Sequence, residues 1–99
     1  MTKIYCAHSG TRYSIRAEGH ATGSQEACSG ISAITNALIL YAVNEAEHVQ
    51  TIHTMEEEEA HICLQFSGDE QAGAAWKMAV MGLVSISKAY PQQVEIIGV

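Results

Sequence analysis

The sequence predicts a two-layer α+β domain: an antiparallel sheet with two helices packed on one face, in the order ββαββαβ. Three observations carry this reading. Apolar and polar residues alternate in short runs near the start, middle and end of the chain, whereas in two long runs between them apolar residues recur every three or four positions. Gly10 breaks the first alternating run, Gly19 and Gly23 punctuate the segment before the first helical run, and the one proline, Pro91, closes the second.

From Thr2 to Glu18, Ile4 and Cys6, then Tyr13, Ile15 and Ala17, fall on one face, and His8-Ser9-Gly10 breaks the run, so this is a β-hairpin. After the glycine-punctuated stretch Gly19 to Gln25, Ile31, Ile34, Leu38 and Tyr41 keep helical spacing to about Glu45. Thr22 with Gln25, or Ser24 itself, caps that helix. Val49 to Met55 and Ala60 to Phe66 read as two antiparallel strands, and the acidic run Glu56 to Glu59 as the solvated turn between them. A second helix starts near Ser67 to Asp69 and stops at Tyr90, because Pro91 cannot continue it. From Ala74 to Ile86 its only charge is Lys77, so more than one face is apolar, as in a sandwiched or subunit-interface helix. Trp76, Met78 and Met81 are read as packing residues, and their excess over one face predicts a homodimer. Val94 to Val99 forms a last short strand.

One domain, residues 1–99, accounts for this length and for 47% apolar content. The longest apolar stretch, Ala37 to Val43, is short of the roughly 18 residues that span a bilayer, and no secretory leader pattern opens the chain. A cytoplasmic protein without membrane contact is expected. A net charge of −6 disfavours direct nucleic-acid binding and suits a basic partner. Cys6, Cys28 and Cys63 are an odd set without a CxxC pair, so reduced thiols are expected, with no metal and no cofactor. Cys6 should face the core and Cys63 the opposite sheet face, where His61 alone does not complete a metal site. Tyr13 and Tyr41 are core residues before they are a pocket for an aromatic substrate side chain.

His20 follows Gly19 at a strand end, and Cys28 lies in the first or second turn of the next helix. Unpaired N–H groups at a helix N-terminus favour a thiolate and can hold an oxyanion. A histidine within reach serves as the base and then protonates the leaving amine. Spacing alone leaves a second reading open, in which Cys28 packs the helix foot and His20 is bonded in a loop.

Gly19-His20-Ala21, a glycine-containing loop, and Cys28-Ser29-Gly30-Ile31-Ser32-Ala33-Ile34 together resemble the signature of the bacterial ribosomal-processing cysteine protease family, Prp. In that family a GHA motif ends the second strand and C-x-x-x-S opens the first helix. The likeness extends over nearly the whole chain. It implies His20 as base, Cys28 as nucleophile and Ser32, one helical turn on, as a supporting polar group, with Gly19, Gly23 and Gln25 contributing to the loop. It also implies a cytoplasmic, commonly homodimeric endopeptidase that removes the basic N-terminal extension of a large-subunit ribosomal protein after an aromatic residue. This chain departs from the pattern between the two motifs, where the loop is shorter and Gln25-Glu26-Ala27 replaces an Asp-Ile-Val-like run. The alternative on the same scaffold is a non-catalytic peptide-binding or ribosome-associated module.

Overall fold

The structure is a computed structural model that describes residues 1–19, 25–55 and 60–98, with 47–55, 60 and 61 described through their backbone. The capping candidates Thr22 and Ser24, the loop residues His20 and Gly23, and the acidic run Glu56 to Glu59 lie outside the described residues.

Strands β1 (Thr2–Ser9) and β2 (Arg12–Glu18) form the expected hairpin, in register from Lys3 opposite Glu18 to Ser9 opposite Arg12. The two-residue turn places Gly10 at φ +60°, a conformation that costs glycine nothing. Helix α1 (Gln25–Glu45) follows, then β3 (Glu47–Met55), β4 (Ala60–Ser67), α2 (Glu70–Ala89) and β5 (Val94–Ile97). The predicted order ββαββαβ holds. Asp69 is the N-cap of α2, its carboxylate accepting from the Gln71 and Ala72 N–H groups, and Tyr90 ends that helix before Pro91.

The five strands lie in the order β3-β4-β2-β1-β5. Four pair antiparallel, but β5 runs parallel to β1, with Thr2 opposite Val94 and Tyr5 opposite Ile97, so the sheet is mixed instead of wholly antiparallel. The cause is the length of α2. Strand β4 runs from the end of the sheet where β2 finishes towards the hairpin turn; α2 carries the chain the whole way back, and β5 must then start where β1 starts.

Both helices cover one face. Ile4, Cys6, Ile15, Ala17, Leu64, Phe66 and Val94 from the sheet meet Ala27, Ile31, Leu38 and Ala42 of α1 and Ala72, Trp76, Val80 and Leu83 of α2, all buried. The single tryptophan also donates its indole N–H to the Ser14 carbonyl at 3.1 Å, which satisfies the one polar atom it carries into the core. By length and composition α1 could cross a membrane, yet Ala27, Ile31, Thr35, Leu38 and Ala42 form one buried stripe against the sheet, and the Thr35 hydroxyl is absorbed by the Ile31 carbonyl at 2.8 Å. The open face carries the residues of opposite phase. There the Arg16 guanidinium lies 4.4 Å from the Tyr5 ring centre and 3.3 Å from the Glu18 carboxylate, and Cys63 pairs in register with Arg16, as its alternation predicts.

The helices are antiparallel and closely packed. A β-carbon on Gly30 would fall 2.9 Å from Ile86, and one on Gly82 would fall 2.8 Å from Ile34. Farther along, Ile34, Ala37 and Tyr41 of α1 face Ala75, Met78 and Ala79 of α2 across an apolar groove of about 290 Å³.

Candidate active site

Cys28 is the fourth residue of α1, in its first turn, and is half-buried with its neighbours in the hydrophobic core. The first-turn position follows from where the chain leaves the sheet. Strand β2 ends at Glu18, and α1 begins at Gln25, so the helix N-terminus sits over that end of the sheet. This first turn carries the positive end of the helix dipole. Ser32, one turn further and exposed, lies on the same side of the helix as Cys28. Gln25 and Glu26 are exposed at the helix start.

Gly19 is held in place at the same end. Its φ is +86°, and a β-carbon on it would come within 2.6 Å of the Met1 carbonyl oxygen. The buried Thr2 hydroxyl donates to the Gly19 carbonyl at 3.4 Å, and the Thr2 N–H donates to the Gln93 carbonyl at 2.8 Å. The start of β1 and the start of β5 thus form the seat on which the chain leaves β2. The sequence reading missed Met1 and Thr2 as part of this seat. They stand 17 or more positions from Gly19, and no local pattern announces a contact of that range.

The other candidates fall away from this end. Tyr41, thirteen positions after Cys28, is about 20 Å along the helix. Tyr13 sits six positions before Gly19 on β2, roughly 20 Å off, packed among His8, Phe66 and Trp76 with ring centres 5.6–6.2 Å from its own. Both are packing residues remote from Cys28, as the core reading of them predicts. Cys6 is in the core at 1% exposure, and burial pushes its thiol up to about 11 from 9.0. Of the three cysteines, Cys28 alone lies at a helix N-terminus.

The cysteine protease Prp family matches residues 1–95. The chain belongs to this family. It is therefore a cysteine-type endopeptidase, a hydrolase of the class involved in ribosomal protein processing. Solved Prp structures share its fold. The essential ribosomal processing protease Prp from S. aureus with a covalently linked product peptide superposes with a TM-score of 0.75 at 12% identity, over 97% of both chains. The same S. aureus protease with a substrate peptide gives 0.71 at 13% identity, again over 97% of each chain. A Streptococcus mutans protein gives 0.75 at 16% identity, covering 97% of this chain and 91% of the other. No curated protein matches the sequence significantly.

Proposed function

We propose that the chain cuts peptides with a Cys28–His20 dyad and removes the basic N-terminal extension of a large-subunit bacterial ribosomal protein in the cytoplasm. The observation that supports this is the half-buried thiol in the first turn of α1, in a chain whose Gly19-His20-Ala21 and Cys28-to-Ser32 motifs fit the family pattern.

In this mechanism the imidazole of His20 takes the Cys28 proton and the thiolate attacks the scissile carbonyl carbon. The oxyanion that forms is favoured by the positive end of the α1 dipole. As the C–N bond breaks, the imidazolium gives its proton to the leaving amine, and a thioester remains on Sγ. Water, deprotonated by the imidazole, attacks the thioester carbonyl; the C–S bond breaks and the acid product leaves. Ser32 supports the site from one helical turn away. The acidic balance of the chain steers a basic segment towards it. The S. aureus relative, described with a covalently linked product peptide, supports chemistry through a covalent intermediate.

The test is cleavage of a synthetic peptide spanning the ribosomal-protein extension encoded in the same genome. Cys28→Ala and His20→Ala should each lower kcat/KM by a factor of about 10³ or more, while circular dichroism stays native. Cleavage by Cys28→Ala at the parent's rate would refute the dyad.

We further propose a homodimer through the outer face of the two helices. Between Glu26 and Glu45, α1 carries no charged residue, and Leu40, Val43, Met78 and Met81 stand 61–77% exposed on the helix layer. Two helices about 30 Å long and roughly 10 Å apart offer some 600 Å², close to the ~800 Å² per partner of a stable interface. A second copy is the fitting occupant, because this face is where two acidic chains can meet without opposing carboxylates.

A further inference from the structure

Strand β3 stands first in the sheet order, and among the described residues no strand pairs with its outer edge. At nine residues it is long for an edge. Natural edges are blunted with lysine, proline, bulges or short length. The segment Glu47-His48-Val49-Gln50-Thr51-Ile52-His53-Thr54-Met55 has neither lysine nor proline. Its one irregularity falls between Glu47 and Gln50, and from Gln50 to Met55 the pairing with β4 is unbroken. An unprotected run of six residues, about 20 Å of backbone, is a template for another strand.

That run ends at the same end of the sheet as Cys28. β3 runs towards the end of the sheet where β2 finishes, since Met55 pairs with Ala60 and Glu18 with His61. The first turn of α1 lies over the same end. The direction in which Cys28 faces follows from the helix period. Gly30, Ile34, Ala37 and Tyr41 face α2, and Ala27, Ile31, Thr35, Leu38 and Ala42 face the sheet. At 100° per residue, Cys28, Ser32 and Ile39 share the remaining lower flank, the one turned away from α2. Ile39 on that flank lines a small void with Ile62 and Leu64 of β4, and α1 contacts β3 at one edge of the sheet, whereas α2 contacts β5 at the other. Nucleophile and free edge are therefore on the same side of the molecule.

We infer that the substrate binds as an added strand on the outer edge of β3, its main chain bonded to the alternate outward N–H and C=O groups of Gln50 to Met55, and so delivers the scissile bond to Cys28. This inference rests on the proposed role of Cys28 and specifies how the peptide is held. Affinity comes from backbone hydrogen bonds and selectivity from alternate side chains, so the enzyme reads an extended segment of five or six residues and rejects a helical one. The other edge does not serve. β5 has four residues and lies beneath α2, on the side opposite to Cys28.

Two measurements test this. The first is amide hydrogen exchange on full-length Cys28→Ser with and without a saturating synthetic peptide spanning the ribosomal-protein extension. Alternate amides between Gln50 and Met55 should slow at least tenfold on binding, while β5 amides stay unchanged. Protection of β5, of the α1–α2 groove alone, or of no β3 amide overturns the inference, and so does a peptide that shows no saturable binding. The second is an N-methyl scan of the peptide with the parent enzyme. Methylation at every second position should lower kcat/KM tenfold or more, with little effect between. Loss confined to the residues flanking the scissile bond, without alternation, overturns edge docking and leaves the dyad intact; turnover by Cys28→Ser would instead refute the dyad.

Discussion

Gly19 and Met1 are in contact so close that no other residue fits at position 19: a β-carbon there would stand 2.6 Å from the Met1 carbonyl oxygen, on a backbone with φ +86°. The clash is with the main chain of Met1, just before β1, which cannot rotate away as a side-chain tip can.

Gly19→Ala should therefore lower stability by about 1–3 kcal/mol and reduce kcat/KM, because the chain leading to His20 departs from this seat. Gly10→Ala is the matched control. Gly10 also has positive φ, +60°, but a β-carbon there meets nothing within 4 Å, so it should cost only the backbone strain, about 1–2 kcal/mol, with activity unchanged. Urea midpoints and peptide cleavage for the two variants provide the comparison. Equal losses of activity in both would show that the Gly19 seat does not position the site.

Cys6 makes a prediction about pH. Its thiol titrates near 11 in the fold against 9.0 when exposed, so folding favours the protonated form. The stability this contributes is complete below pH 9 and is lost as pH rises towards 11, by up to about 1.4 kcal/mol per pH unit. Cys6→Ala should lack that decline, though it begins less stable because it opens space in the core. Chemical denaturation of both proteins from pH 8 to 11 measures the difference, which should shrink with rising pH. Iodoacetamide on the native protein at neutral pH should label Cys28 and Cys63 and spare Cys6 until denaturant is added, as peptide mass mapping would report.

Asp69 supplies a third test. Its carboxylate accepts from Gln71 N–H at 3.0 Å and Ala72 N–H at 3.3 Å. Asp69→Ala removes both bonds and a favourable charge at the α2 N-terminus, and should cost about 0.5–2 kcal/mol. Asp69→Asn, which keeps an acceptor, should recover most of this. Thermal denaturation separates the two. Neither variant should change cleavage, because the α2 N-terminus lies at the hairpin-turn end of the sheet, away from Cys28.

The start of α2 near Ser67 to Asp69 was legible in the sequence because a cap is a local event, an acceptor followed by a hydrophobic run, although either residue could have capped and the structure selects Asp69. The same holds for the α1 period of Ile31, Ile34, Leu38 and Tyr41, and for the phases that put Cys6 inside and Cys63 outside. What the sequence did not carry was direction and partner choice over distance. The parallel pairing of Thr2 with Val94 depends on α2 spanning the sheet, and four residues of β5 hold no mark of it. Placing Cys28 in a first turn needed only the helix boundary, whereas its orientation away from α2 needed Gly30 against Ile86 and Gly82 against Ile34. Met78 and Met81 illustrate the limit of composition. Both read as packing residues, yet they are 77% and 71% exposed, while Trp76 between the same turns is 5% exposed.

Those two methionines set the final prediction. If the outer helix face joins two copies, the parent should sediment at twice its 10.7 kDa, and Leu40→Glu with Met81→Glu should sediment as the monomer. The substituted side chains already face solvent in the single chain, so neither change should weaken the fold by more than about 0.5 kcal/mol, and native circular dichroism would exclude unfolding as the cause. Raising salt should not dissociate the parent, since the face is apolar and screening acts on exposed charges. The proposed cleavage site lies elsewhere: Leu40 is twelve residues from Cys28, roughly 18 Å along α1, so the monomeric variant should keep its kcat and lose only what the smaller assembly loses in stability. A parent that stays monomeric at all concentrations would refute the interface, while a dimer unaffected by either glutamate would move it to another surface, with the free β3 edge the next to examine.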